Sequence, residues 1–173
     1  RLCNEYRIAF TARGRGTGTA GGCIPVAGGV VISLERMRNI RQYQPNNRFI
    51  TVEAGVLNGE LQRHIASDGF FWPPDPSSAD YCSVGGNLST NAGGPHAVKY
   101  GVTRDWVLGL QAVTAKGDII RTGCYTTKGV VGYDLTRLLI GSEGTLAIIT
   151  EATLKLAPLP LHRAGLVASY ADE

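Results

Sequence analysis

The sequence predicts a mixed domain of short strands and short helices, on three observations. Its strand-like runs are short and are joined by glycine-rich loops: residues 49–54 alternate with period two, and residues 107–114 and 119–122 flank Ala115-Lys116-Gly117-Asp118 as the arms of a hairpin. Helical spacing is confined to short stretches, chiefly the one beginning at Asn58 and residues 132–140. Finally, the loop that most resembles the entrance to a doubly wound fold is not followed by a helix.

That loop is Ala12-Arg13-Gly14-Arg15-Gly16-Thr17-Gly18-Thr19-Ala20-Gly21-Gly22. Before it, residues 1–6 read as the tail of a helix and residues 7–11 as a short strand. Glycine has no Cβ, so such a run turns tightly and brings successive N–H groups to one point. Converging N–H groups form an anion-binding nest, suited to a phosphate or pyrophosphate. Arg13 and Thr17 add a charge and a hydroxyl that a flexible spacer does not need.

Gly16-Thr17-Gly18-Thr19-Ala20-Gly21 also matches G-x-G-x-x-G, and Glu35 ends the next apolar strand where a Rossmann unit carries its ribose carboxylate. A Rossmann loop, however, runs straight into a helix whose N-terminus faces the pyrophosphate. Here Gly22-Cys23-Ile24-Pro25-Val26-Ala27-Gly28-Gly29 follows, and Pro25 with its glycines forbids that helix. An NAD(P)-binding Rossmann enzyme is therefore the lesser alternative.

The strand at 30–34 is apolar except for Ser33 and is expected to be buried on both faces. Residues 35–40 turn, and the basic cluster Arg36-Met37-Arg38-Asn39-Ile40-Arg41 reads as a solvated helix or turn. Asn58 stands where an N-cap belongs, and Leu61, Ile65 and Ala66 share one face of a helix ending at Ser67-Asp68-Gly69. His64 beside that face reads as a packing or surface residue. Phe70-Phe71-Trp72-Pro73-Pro74-Asp75-Pro76-Ser77-Ser78 is rigid and extended, a wall that can present amides and hydroxyls to a flat ligand.

Ser83-Val84-Gly85-Gly86-Asn87-Leu88-Ser89-Thr90-Asn91-Ala92-Gly93-Gly94-Pro95-His96 reads as a second glycine-rich nest around a short helical turn. Two nests with a stiff wall between them suggest a long ligand held at several points, and an adenine dinucleotide has that length. The helix at 132–140 is expected to turn Leu135, Leu138 and Leu139 inward. Gly141-Ser142-Glu143-Gly144-Thr145 is a further glycine loop, followed by strands at 146–150 and 152–156. Pro158 and Pro160 mark a boundary, and residues 166–170 are expected to start a strand whose partners are absent.

At 173 residues the chain suits one domain with a self-sufficient core. With 43% apolar residues it is not disordered, and no apolar run approaches membrane-spanning length. A net charge of +3, carried by scattered residues, argues against a nucleic-acid surface. The four cysteines (Cys3, Cys23, Cys82, Cys124) are widely spaced without a C-x-x-C, so neither a metal centre nor a disulfide framework is expected. No signal peptide opens the chain, which begins at Arg1 as if cut, and a cytoplasmic setting is expected, with membrane association through a complex as the alternative.

Taken in register, Arg13-Gly14-Arg15-Gly16-Thr17-Gly18 with Gly21-Gly22, Pro74-Asp75-Pro76-Ser77-Ser78, Gly85-Gly86-Asn87 with Asn91-Ala92-Gly93-Gly94, Tyr100-Gly101 and Gly141-Ser142-Glu143-Gly144-Thr145 resemble one family. It is the FAD-binding domain of the vanillyl-alcohol-oxidase and para-cresol-methylhydroxylase superfamily. Within it the chain is most similar to the FAD-binding subunit of glycolate oxidase and to D-lactate and D-2-hydroxyglutarate dehydrogenases. The resemblance runs over about residues 5–170.

The resemblance implies a two-lobed α+β domain, a small three-stranded lobe (about 1–57) beside a larger, mainly antiparallel sheet with flanking helices (about 58–160). It implies truncation at both ends, with 161–173 leading toward an absent substrate-binding cap. FAD is expected between the lobes, its pyrophosphate on the N–H groups of residues 15–18, with Arg13 adding charge or bracing the loop and Gly14, Gly21 and Gly22 also expected to bind the cofactor. Pro74, Asp75, Ser77, Ser78, Gly85, Gly86, Thr90 and Asn91 are expected along the flavin and ribityl region, and Asn87, Ala92, Gly93, Gly94, Tyr100 and Gly101 are further residues expected to bind the cofactor. Gly144 and Ile148 are expected at the adenine end.

Some relatives attach FAD covalently through a histidine in the first loop and a cysteine in the second. Arg15 and Asn87 occupy those regions here, so FAD is expected to bind non-covalently, with Cys82 or His96 as the alternative attachment points. The implied activity is oxidation of a 2-hydroxyacid, glycolate or D-lactate, with hydride passing from the α-carbon to flavin N5 and onward to an unidentified electron acceptor. The cap supplies substrate contacts and any metal, so no catalytic or metal-binding residue is assigned in this chain, which alone is expected to be inactive. An alcohol, aldose or amino-sugar nucleotide oxidase and a non-catalytic relative are the alternatives, and partner subunits or self-association are expected.

Overall fold

The chain enters through a short helix, α1 (Leu2–Glu5), into two strands, β1 (Phe10–Arg13) and β2 (Val30–Ser33), which pair in parallel. This computed structural model describes residues 1–126, 128–162 and 164–171. The parallel pair forms a smaller lobe of two strands among the described residues, where three were expected. The first strand also begins later than residue 7. β2 is not buried on both faces: Val30 and Val31 are 43% and 44% exposed, because no helix covers a sheet this narrow.

Next come β3 (Ile40–Gln44) and β4 (Phe49–Glu53), joined through a 3-10 turn at Pro45–Asn47. β3 is not legible in the sequence, where residues 35–40 read as a turn and residues 36–41 as a solvated helix or turn. Both strands hydrogen-bond into the larger sheet, although the expected lobe boundary at about residue 57 grouped them with the smaller lobe. β4 is buried along its whole length, not on alternate residues, because it lies inside the sheet with both faces covered.

Helix α2 (Asn58–Ala66) buries Leu61 and Ile65 completely. Its cap position is Leu57, and Asn58 is already helical. The Asn58 side chain does different work: buried, it donates from Nδ2 to the Pro74 carbonyl at 3.0 Å. Gln62, one turn on, accepts from the Trp72 N–H at 3.1 Å and donates back to its carbonyl at 2.5 Å. The proline segment, too poor in N–H groups to join a sheet, is thus held by two amide side chains of α2.

β5 (Phe70–Phe71) leads into that segment, and α3 (Val84–Thr90) and α4 (Ala97–Tyr100) follow it. A 3-10 turn at Thr103–Trp106 then feeds the hairpin of β6 (Val107–Thr114) and β7 (Ile119–Gly123). α5 (Leu135–Leu139) is shorter than expected; Leu139 is buried, whereas Leu135 and Leu138 are 48% and 59% exposed.

The stretch expected to form two strands at 146–150 and 152–156 is one strand, β8 (Ala147–Lys155), with β9 (Ala157–Pro158) closing on β5. Residues 166–170 form no strand and are exposed.

β8 lies at the centre of a five-stranded antiparallel sheet in the order β3-β4-β8-β6-β7. The core is packed from this sheet (Ile50, Val52, Leu110, Ile149, Leu154), from α2 (Leu61, Ile65), from α3 (Val84, Leu88) and from Trp72. One face therefore carries α2 and α3. The N-terminal end of α3 comes to rest where β4 runs into Ala54.

Candidate cofactor site

A cleft of about 460 Å³ opens where the loop after β1 meets the start of α3 and the loop after α5. Close backbone approach builds it. A Cβ on Gly14 would stand 2.7 Å from the Ser83 Oγ, and one on Gly85 would stand 2.7 Å from the Ala54 Cβ and 2.8 Å from its carbonyl oxygen. Ser83 caps α3 by accepting from the Gly86 N–H at 3.3 Å, while Gly85 N donates to the Ala54 carbonyl at 2.8 Å. Alanine at either glycine would push the walls apart.

The two glycine clusters differ in what they offer. In the first loop the N–H groups of residues 15–20 donate to no acceptor among the described residues. Gly16 is left-handed (φ 69°), and the Arg13 guanidinium lies folded beneath it, 2.6 Å from where a Cβ would be. Arg13 forms no ion pair among the described residues, so a positive charge and a run of free donors share one wall. The first glycine pair of the second cluster is not a nest. The amides of Val84, Gly85 and Gly86 are taken by Val56, Ala54 and Ser83, so these glycines provide proximity and not donors.

Asn87 supplies what that second wall lacks. It is 2% exposed, lines the cleft, and its Nδ2 has no hydrogen-bond acceptor among the described residues. The neighbouring Cys82 thiol is at most a weak acceptor. A buried amide N–H without a partner costs about 1–3 kcal/mol, a cost that a ligand acceptor would remove. Free donors, a free cation and an orphaned amide around a glycine-lined cleft fit an extended, phosphate-bearing ligand.

Most of the residues singled out in the sequence meet here. Arg13, Gly14, Arg15, Gly16, Thr17 and Gly18 line the cleft, as do Gly21 and Gly22. So do Ser77 and Ser78, then Gly85, Gly86, Asn87, Thr90 and Ala92, and from the far side Gly144 and Ile148.

The others lie beside it. Pro74 is held by Asn58, and Asp75 accepts from the His96 N–H at 3.0 Å, with Gly94 turned so tightly against Asp75 that no side chain fits. Asn91 ends α3 in the left-handed region and accepts from Arg104 N at 2.9 Å. Gly93 packs near Val102, Gly101 ends α4, and the Tyr100 ring stands edge-on to Phe71 at 5.3 Å.

Residues not singled out also reach the cleft, among them Cys23, Leu34, Ala54, Ser83, Ser89 and Glu143. Ser83 and Glu143 sat inside the quoted motifs, whereas Ala54 carries no signal of its own and is placed by its contact with Gly85. Glu35 is absent from this lining and instead pairs with Arg15 at 3.5 Å.

Cys82 is buried, and that burial pushes its thiol above the ordinary range. Neither it nor His96 lines the cleft. The His96 Nδ1 lies 3.1 Å from the Pro73 carbonyl and 3.2 Å from the Asp75 carboxylate. Both neighbours are acceptors, so Nδ1 carries a proton and the ring ties two loops together. No helix among the described residues is long and apolar enough to cross a membrane.

Comparison with known proteins agrees with this chemistry. Residues 1–123 match the family described as FAD binding domain. The chain is 48% identical over 169 residues to the glycolate oxidase subunit GlcD of Bacillus subtilis, covering 98% of this chain and 36% of that protein. It is 44% identical over 170 residues to the D-lactate dehydrogenase of Anaerostipes hadrus, with the same coverage. To the D-2-hydroxyglutarate dehydrogenase of Stutzerimonas stutzeri it is 36% identical over 172 residues, 99% of this chain and 37% of that protein.

Among solved structures, alkyldihydroxyacetonephosphate synthase superposes with a TM-score of 0.79 at 27% identity, over 93% of this chain and 31% of the other. The chain thus spans little more than a third of the curated relatives it matches. It belongs to the FAD-binding-domain family of the para-cresol-methylhydroxylase type, and its cofactor is FAD.

Proposed function

We propose that this chain is the FAD-binding part of a flavin-dependent 2-hydroxyacid dehydrogenase or oxidase of the glycolate or D-lactate type. The observation that carries the reading is the wall of unused donors at residues 15–20 over the unpaired Arg13, facing the orphaned Asn87 amide across one cleft. The first loop holds the FAD pyrophosphate, Arg13 balances its charge, and Asn87 donates to an acceptor on the ligand. Ser77, Ser78 and Thr90 offer hydroxyls along the cleft, and Gly144 and Ile148 close its other end. Pro74, Asp75, Asn91, Gly93, Gly94, Tyr100 and Gly101 brace the neighbouring loops.

Bound FAD supplies a two-electron acceptor for the hydride of a CH–OH carbon. The part played by this chain is to bind, orient and shield it. Substrate contacts belong to the length of the relatives that this chain does not span. The choice of a 2-hydroxyacid is supported by the relatives' names, and partner subunits by the naming of the Bacillus subtilis protein as a subunit.

The test is the visible absorption spectrum of the purified chain before and after FAD addition and desalting. Retained flavin bands that acid releases are the expected result. Flavin that stays with acid-precipitated protein would replace non-covalent by covalent binding and direct attention to Cys23, the thiol that lines the cleft. A folded chain that retains no flavin would overturn the assignment.

A further inference from the structure

Among the described residues lining the cleft, Glu143 is the one carboxylate. Its backbone is left-handed (φ 52°), between Gly141 (φ 85°) and Gly144 (φ 79°). The loop is fastened to the last turn of α3: Glu143 N donates to the Ser89 carbonyl and Gly141 N to the Leu88 carbonyl, each at 2.9 Å. Ser142 Oγ donates to the Leu139 carbonyl at 2.8 Å. The carboxylate is thus presented by a fixed backbone in a conformation that most residues avoid. Its Oε2 lies 3.1 Å from where a Cβ on Gly22 would be, so a side chain at residue 22 would press on the carboxylate. It forms no ion pair among the described residues.

We infer that Glu143 selects the adenosine half of the cofactor by accepting hydrogen bonds from its ribose hydroxyls and by excluding a phosphorylated ribose. The inference rests on the proposed FAD site and goes beyond it. A carboxylate accepts and does not donate, and it repels phosphate. Phosphates therefore settle at the opposite end of the first loop, by Arg13, and a neutral donor pair settles by Gly22. In a Rossmann unit that ribose acceptor stands at the end of a strand. Here the strand-end acid, Glu35, is held by Arg15 and does not line the cleft, and Glu143 reaches the ligand from the facing loop.

The experiment measures Kd for FAD directly, and for ADP and its 2′-deoxy and 3′-deoxy analogues by competition, in the wild type, Glu143→Gln and Glu143→Gly. A charge-assisted hydrogen bond gives the wild type about a tenfold preference for ADP over at least one deoxy analogue. In Glu143→Gln, ADP and FAD are expected to bind about tenfold more weakly and the preference to shrink to within about twofold. Glu143→Gly relieves the left-handed backbone, so its ligand-free Tm should rise while FAD binding weakens.

A wild-type ADP preference that survives in Glu143→Gln would overturn the inference and leave the FAD assignment standing. So would a Glu143→Gly protein that binds FAD as tightly as the wild type. If the wild type itself does not bind FAD, the assignment fails and the inference falls with it.

Discussion

Gly14 packs against Ser83 so closely that a Cβ on residue 14 would stand 2.7 Å from the Ser83 Oγ, the atom that caps α3. The cap and the first loop therefore share one space. Gly14→Ala is expected to displace Ser83, with about 1 kcal/mol of stability lost with the cap, and to lift the loop from the cleft. Urea unfolding should show the loss, and FAD titration a weakening of about tenfold or more. Unchanged FAD binding would mean that the loop has slack at this point.

Asn87→Ala separates ligand binding from stability. Removing an amide whose Nδ2 is buried without a partner relieves one penalty while the lost packing adds another. The ligand-free protein should stay within about 1 kcal/mol of the wild type, and FAD should bind about tenfold more weakly. A large fall in stability with unchanged FAD affinity would assign Asn87 to the fold alone.

Glu53 is 4% exposed and accepts from the Asn39 N–H at 2.7 Å, from the Asn39 Nδ2 at 2.9 Å and from Arg41. It fastens β3 to the end of β4, next to the Ala54 that supports Gly85. Glu53→Ala strands those donors and should destabilise the protein by about 3 kcal/mol. Glu53→Gln, which keeps an acceptor, should recover part of that loss in denaturant midpoints.

Tyr43 sets an alkaline limit. Burial and then its hydrogen bond to Asp68, at 2.8 Å, push the phenol up to about 12. The folded state thus holds this proton more tightly than the unfolded chain, whose tyrosines titrate near about 10. The stability Tyr43 contributes is complete below pH of about 10 and disappears as pH rises through about 12. Phenolate absorbance should reveal one late-titrating tyrosine, missing in Tyr43→Phe.

The glycine loops and the helix at Asn58 were legible because glycine runs and 3.6-residue spacing are local signals. β3 was not. Its Ile40, Arg41 and Gln42 carry no apolar alternation, and the strand exists because β4 offers an edge and Glu53 binds Arg41. The exposure of β2 was equally hidden, since Val30-Val31-Ile32 has the same composition whether covered or bare. At the cleft, composition marked the glycines but could not separate the first cluster, whose amides at residues 15–20 are free, from the second, whose amides at residues 84–86 are engaged. That difference depends on Val56 and Ala54, which are distant in sequence from the first loop.

Vectorial synthesis on the ribosome meets an awkward order in this topology. β4 and β6 are both made early, yet neither pairs with the other: each pairs with β8, which ends only at Lys155. Until that strand emerges, the nascent chain holds two open strand edges and an incomplete floor beneath α2 and α3, the setting in which non-native pairing arises. The stretch matched by the family, ending at residue 123, is therefore shorter than the unit that folds. A polypeptide cut there would contain the phosphate loop yet lack the strand that unites the sheet.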